Sequence, residues 1–177
     1  MQRWRVPLGF VCAAFFFLLS RPRLLTLAIG GAVALMGLAL RAWASGYLRK
    51  NDELATSGPY AHTRNPLYLG SFLIGLGFSI AAGRLYLGLL FLALFLGIYI
   101  PVMRVEAATL RKLFGESFER YRQAVPLLGP RLSPYRDQES HRAKFDASLY
   151  RRYREYRAAL GLIVAWGLLA LKAVYFK

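Results

Sequence analysis

The chain is short of cysteine, histidine and acidic side chains, and each shortage closes a possibility. Its single thiol, Cys12, sits in an apolar run and has no second cysteine to pair with, which excludes a disulfide scaffold. Two histidines and one cysteine, none at metal-ligand spacing, exclude a zinc-finger pattern and leave no metal site to propose. Only 9 Asp and Glu stand against 24 Lys and Arg, a net charge of +15 over 177 residues. What the chain has instead is apolar mass. Hydrophobic residues make up 56% of it, where a soluble domain averages roughly 45–50%. A chain that is both apolar and strongly basic must segregate the two. The apolar residues fall in blocks and most of the charge lies between residues 104 and 157. That pattern excludes a soluble globular domain and a disordered basic tail. It predicts an all-α, polytopic integral membrane protein about one domain long.

A hydrocarbon core about 30 Å thick needs about 20 apolar residues of helix. Five stretches approach this: 6–20, 24–44, 67–82, 85–103 and 158–175. The first resembles a signal-peptide core, but no small-residue cleavage site follows it and Arg21-Pro22-Arg23 reads as a turn into the next span. Gly83-Arg84 alone separates the third and fourth, which predicts a tight helical hairpin. Lys172 lies near enough to a span end to snorkel. The expectation is about five transmembrane helices plus interfacial cytoplasmic helices. Gly30 with Ala34, Ser71 with Gly75, and Gly88 near Ala93 are small residues that let helices approach closely. Gly75-Leu76-Gly77 has no preceding strand, so it reads as packing and not as a dinucleotide fingerprint.

With the N-terminus inside, 19 of the 24 cations fall on inner segments, while Arg21, Arg23, Arg84, Lys172 and Lys177 fall outside. The positive-inside rule then places 45–66 and 104–157 in the cytoplasm and the C-terminus outside. Anionic lipid headgroups are the expected partner for the remaining positive charge, and nucleic acid is not. A prokaryotic inner membrane is the expected location.

Two cytoplasmic stretches carry groups capable of chemistry. In the first, Thr56 to Gly70, Gly58-Pro59 marks a turn, Pro66 biases Asn65 to extended geometry, and Pro66 suits the first turn of a helix. Free amides at that helix start favour a carboxylate or phosphate. The same residues also read as an interfacial aromatic belt, Tyr60 and Tyr68, with a snorkelling Arg64. In the second, Leu110, Leu113, Phe114, Phe118, Tyr121 and Val125 recur at three- and four-residue steps, which predicts an amphipathic helix along the interface. Glu106, just past the fourth span and beside Arg104, fits either a structural ion pair or a cationic ligand. A third face, Phe145, Leu149, Tyr153, Tyr156 and Leu160, predicts a further interfacial helix set among arginines.

Gly58-Pro59-Tyr60, then Arg64-Asn65-Pro66-x-Tyr68-x-Gly70, a span pair, Glu106, Phe114-Gly115-x-x-Phe118-x-x-Tyr121 and Val125-Pro126 together resemble the isoprenylcysteine carboxyl methyltransferase family. Phospholipid amine methyltransferases are its wider relatives. The resemblance covers roughly residues 54 to 128. It implies an N-terminal helix pair (1–45), a cofactor-binding methyltransferase core (46–128) and a basic segment with a last span (129–177). It further implies an integral membrane enzyme that moves a methyl group from S-adenosylmethionine to a lipophilic acceptor and releases S-adenosylhomocysteine. Mapped by motif, Tyr60, His62, Arg64, Asn65, Pro66, Tyr68, Gly70, Glu106 and Tyr121 would contact the cofactor. Two positions depart from the pattern. Asn65 stands where His is commoner, and Ala107 where a second Glu is expected.

Glu106 is assigned to anchoring the cofactor, because a fixed anion favours a sulfonium more before the transfer than during it. Arg64 and the amides near Pro66 are the candidates for the methionyl carboxylate. A carboxylate acceptor needs no general base, and Arg104 would orient it. An amine acceptor must lose a proton, and His62 would take it. The alternatives are a lipid amine methyltransferase and a non-enzymatic scaffold that binds anionic lipid or a partner.

Overall fold

The computed structural model describes residues 14–49, 52–136 and 143–175. Residues 14–19 are helical. They are followed by α1 (Leu24–Ser45), a 3-10 turn (Gly58–Ala61), α2 (Pro66–Ala81), α3 (Leu85–Ala124), α4 (Ala147–Arg152) and α5 (Tyr156–Tyr175). No strand occurs among the described residues.

Boundaries fall where the chemistry requires them. At the start of α1 the Arg23 amide donates to Thr26 Oγ1 at 2.9 Å. Helix α2 opens on Pro66, which has no N–H to leave unpaired. It ends at Ala81, and Gly83, with a φ of 63°, turns the chain back into α3 as the expected hairpin.

Among the described residues three helices, α1, α3 and α5, are long and apolar enough to cross a membrane. The expectation of five is not confirmed. Confined between Pro66 and Gly83, α2 has 16 residues, about 24 Å at helical rise, which is short of a full hydrocarbon core. The span expected at 6–20 falls mostly outside the described residues.

Two further expectations change. The amphipathic helix expected after residue 104 starts later, because the 40 residues of α3 are two helices joined by a kink at Gly115. Gly115 there has φ 51° and ψ −120°. The helix expected over 145–160 is interrupted between α4 and α5, where Arg154 adopts a φ of 56°.

Small residues weld α1 to α2. A Cβ on Gly37 would lie 2.5 Å from the Gly70 carbonyl oxygen, and one on Gly77 would lie 2.5 Å from that of Gly30. Gly75 faces the Phe91 ring of α3. From there an aromatic seam joins α2 to α3. Phe72 meets Phe95 at 5.1 Å, Phe95 stacks on Tyr99 at 4.4 Å, and Tyr99 meets Tyr68 at 5.3 Å between ring centres. Trp166 of α5 packs on Phe78 at 5.1 Å.

Leu24, Leu35, Leu85, Ile163 and Val174 point outward, as a lipid-facing surface requires. At the hairpin end, the Arg21 amide donates to the Ala82 carbonyl at 2.8 Å. The Lys172 ammonium donates to the carbonyls of Phe17 and Leu18, capping the helical residues 14–19. Loop 58–66 and segment 121–135 gather at the opposite end.

Candidate active site

At that opposite end, loop 58–66 is stitched to segment 121–135 by backbone and side chain alike. The Arg64 amide donates to the Pro126 carbonyl at 2.9 Å, the Arg131 amide to His62 at 2.9 Å, and the Tyr135 amide to Ala61 at 2.8 Å. Thr63 Oγ1 donates to the Leu128 carbonyl at 3.1 Å and Asn65 Nδ2 to that of Leu127 at 3.0 Å. The Tyr121 hydroxyl donates to the Tyr60 carbonyl at 2.7 Å. Beneath this seam Phe118, Tyr121 and Val125 are buried against Leu54, Leu110, Phe114 and Tyr135. The apolar face expected to lie along the membrane surface is therefore turned onto the loop and holds it.

The stitching accounts for several residues expected to contact a cofactor. His62 Nδ1 lies 2.8 Å from the Arg131 carbonyl oxygen. A carbonyl only accepts, which assigns the proton to Nδ1 and leaves Nε2 as the free nitrogen. Asn65 supplies an amide donor to a carbonyl, a task that needs no imidazole. Pro66 is buried at the start of α2. Gly70 is buried against α1, where a Cβ would meet the Arg41 side chain; close helix approach explains it.

Four further side chains, those of Tyr68, Glu106, Arg64 and Tyr60, lie outside this stitching. The Tyr68 hydroxyl donates to Glu106 Oε2 at 3.0 Å. This brings the two motifs together and replaces the Arg104–Glu106 pair considered from sequence. Residues two apart on a helix point about 200° apart around its axis, and both Arg104 and Glu106 are exposed.

Arg64 is half-buried, and its Nε has no hydrogen-bond partner among the described residues. Partial removal from water lowers the pKa of its guanidinium. An arginine in that condition favours an anion beside it. Tyr60 is 6% exposed. Burial pushes its phenol well above the ordinary range, with Tyr121, Glu106, Tyr153 and Glu155 adding smaller upward contributions. These side chains are one carboxylate, one guanidinium with an unpartnered Nε and two phenols, a set suited to a ligand carrying both signs of charge.

The site also contains residues that sequence reasoning missed. Arg41, Ser71 and Glu155 form a half-buried polar cluster on the turn of α2 that carries Tyr68. The signals were an arginine inside a span and the one acidic residue between positions 147 and 177.

A family model for phospholipid methyltransferase matches residues 25–117, more than half of the chain. The chain belongs to the phospholipid methyltransferase family. Within that span lie α1, loop 58–66, α2 and Glu106, the parts that build the site. The cobalt-zinc-cadmium resistance protein CzcN of Cupriavidus metallidurans is 37% identical over 147 residues, covering 77% of this chain and 66% of that protein. The nickel-cobalt-cadmium resistance protein NccN of Alcaligenes xylosoxydans is 32% identical over 117 residues, covering 65% and 54%. The protein-S-isoprenylcysteine O-methyltransferase of Schizosaccharomyces pombe is 36% identical over 77 residues, covering 44% and 33%. The matches therefore span between a third and just under two thirds of those relatives' own lengths. No solved structure matches. The family resemblance read from residues 58 to 126 agrees with these findings, and the chain is a member of a membrane methyltransferase family.

Proposed function

We propose that this protein transfers a methyl group from S-adenosylmethionine to a lipophilic acceptor at the membrane surface, and that the accepting group is a carboxylate. The observation that carries the reading is the Tyr68–Glu106 contact at 3.0 Å, which joins α2 to α3 across the hairpin; Arg64, on the loop that leads into α2, keeps an Nε with no hydrogen-bond partner among the described residues. The residues present fit the cofactor's methionyl part and sugar. Arg64 would hold the α-carboxylate by charge-assisted hydrogen bonds. Glu106 would accept from the ammonium or a ribose hydroxyl. Bound there, the cofactor supplies the electrophilic methyl group on its sulfonium.

The protein's share of the work is positional. Holding an acceptor in line removes most of the entropic part of the barrier. The buried phenol of Tyr60 and the rings of Tyr68 and Tyr99 keep water from one side of that position. A carboxylate acceptor needs no proton removed. An amine does, and His62 Nε2, left free by the Nδ1 contact with the Arg131 carbonyl, is the nitrogen that would take it. Arg104, exposed on α3, is the cation available to meet an acceptor carboxylate arriving from the bilayer surface.

The positive-inside imbalance puts this end of the bundle in the cytoplasm, where the cofactor is, with the acceptor entering from lipid. Basic residues around 136–157 would add attraction to anionic headgroups. Two relatives are named for resistance to metals. Among the described residues no three His, Cys, Asp or Glu cluster as a metal site, and our reading for this chain rests on methyl transfer.

The test is to supply the purified protein with methyl-tritiated S-adenosylmethionine and a lipid extract. Label that enters the lipid fraction and leaves as methanol on mild base treatment supports carboxyl methylation. Base-stable label supports the amine reading, and no incorporation above a Glu106→Ala control contradicts both.

A further inference from the structure

The family match ends at residue 117, yet the chain beyond it returns to the site and inserts a charge. Arg41 Nη2 donates to Glu155 Oε1 at 2.8 Å and Arg41 Nε to Glu155 Oε2 at 3.0 Å, a two-point pair. The same guanidinium donates through Nη1 to Ser71 Oγ at 2.6 Å and to the Leu67 carbonyl at 3.3 Å. One side chain of α1 thereby joins α2 to the break before α5. The two side chains are 22% and 10% exposed. Charges so far out of water are kept only when every partner is supplied. Here both carboxylate oxygens and three guanidinium nitrogens have partners.

The backbone is bent to make this possible. Arg154 holds a φ of 56°, a conformation that costs a non-glycine residue about 1 kcal/mol or more. It turns Glu155 inward while Arg151, Arg152, Arg154 and Arg157 stay exposed. Leu67 and Ser71 flank Tyr68, so Arg41 grips the same turn of α2 that presents Tyr68 to Glu106.

The segment is docked a second time at its other end. The Asp146 amide donates to the Gly46 carbonyl at 2.9 Å. The Phe145 ring lies against Gly46 and meets Tyr47 edge-on at 6.1 Å. Tyr47 in turn covers Gly58, where the 3-10 turn carrying Tyr60 begins. Residues 145–155 are thus anchored on both sides of the loop that bears Tyr60.

Resting on the methyltransferase reading, we propose that segment 145–155 is a fixed wall of the cofactor site, and that the Arg41–Glu155 pair is the positioning element that holds the Tyr68 turn against Glu106. Glu155 touches neither cofactor nor acceptor; it acts through Arg41. The segment is therefore part of the catalytic unit and not a plain solvated basic face.

The experiment is titration calorimetry with S-adenosylhomocysteine on full-length protein in detergent, alongside thermal unfolding of the same samples. The variants are Glu155→Gln, Arg41→Glu, Glu155→Arg and the charge-swapped double Arg41→Glu/Glu155→Arg. Glu116→Gln, in an exposed pair with Arg120, is the control and should bind like wild type. We expect each single change to weaken binding at least tenfold at temperatures where the variant is folded. The double swap should recover to within about threefold, and Glu155→Gln should raise the KM for cofactor more than it lowers kcat. Folded Glu155→Gln with wild-type affinity overturns the proposal, whatever its melting temperature, because a purely structural pair would move stability alone. If the charge-reversed singles do not fold, Glu155→Gln and Phe145→Ala decide the matter by the same criterion. Absence of binding by wild type removes the methyltransferase reading and this proposal together. Binding by wild type with unchanged Glu155→Gln removes only this one.

Discussion

Tyr68 and Glu106 lie 38 residues apart and meet hydroxyl to carboxylate at 3.0 Å. The contact places two motifs that flank a helical hairpin on one end of the bundle. Tyr68→Phe removes the donor and leaves the ring seated on Tyr99. Glu106→Gln removes the charge but keeps the shape. A hydrogen bond to a charged group contributes about 1.5–3 kcal/mol. Glu106→Gln should therefore weaken S-adenosylhomocysteine binding by at least tenfold, and Tyr68→Phe by less, because only the orientation of the carboxylate is lost. Calorimetry of the two variants orders them.

Asn65 and Thr63 predict stability effects in place of chemical ones. Both donate to carbonyls of the 127–128 stretch. Asn65→Ala should cost about 1–2 kcal/mol by leaving that carbonyl without its partner. Asn65→Asp should cost more, since it sets an acceptor against an acceptor. Thermal unfolding in detergent reads both, and an Asp variant as stable as wild type would mean that the loop is held elsewhere.

The α1–α2 weld makes a steric prediction. A Cβ on Gly77 would sit 2.5 Å from the Gly30 carbonyl oxygen and 2.8 Å from the Ala34 Cβ. Gly77→Val therefore separates the helices and should cost about 1–3 kcal/mol or more. Gly161→Ala, with open space around its Cα, should be nearly neutral. Comparing their melting temperatures tests whether this face is the tight one.

Tyr60 gives a pH dependence with a definite sign. Burial raises its pKa in the folded protein, so the fold binds the phenolic proton more tightly than the unfolded chain does. Its contribution to stability is complete below the ordinary phenol value of about 10 and is lost as pH rises above it. Melting temperatures between pH 8 and 11 should fall more steeply for wild type than for Tyr60→Phe.

The helices were legible in the sequence wherever apolar runs were bounded by charge, proline or glycine. Arg21-Pro22-Arg23, Pro66 and Gly83-Arg84 mark helix boundaries, and Gly75 and Gly77 serve packing as their spacing implied. The meeting of Tyr68 with Glu106 followed from two motifs on one face of a hairpin. Other features left no local trace. Arg41 and Glu155 are 114 residues apart, and nothing in either neighbourhood names the other. The break at Arg154 has no glycine or proline to announce it. The roles of His62 and Asn65 depend on backbone carbonyls at 131 and 127, and backbone partners are invisible in residue identities. The bounds of α2 were legible too, 67–82 from sequence against Pro66–Ala81 in the structure, and what changes is that 16 residues fall short of a full span.

The most direct test of the whole account is whether the wild-type protein, purified in detergent, binds S-adenosylhomocysteine, and whether Glu106→Ala and Arg64→Ala each weaken that binding. We predict saturable one-to-one heat for wild type and a loss of at least tenfold in affinity for either variant. Wild-type protein that releases no heat, or variants that bind as wild type does, would contradict it.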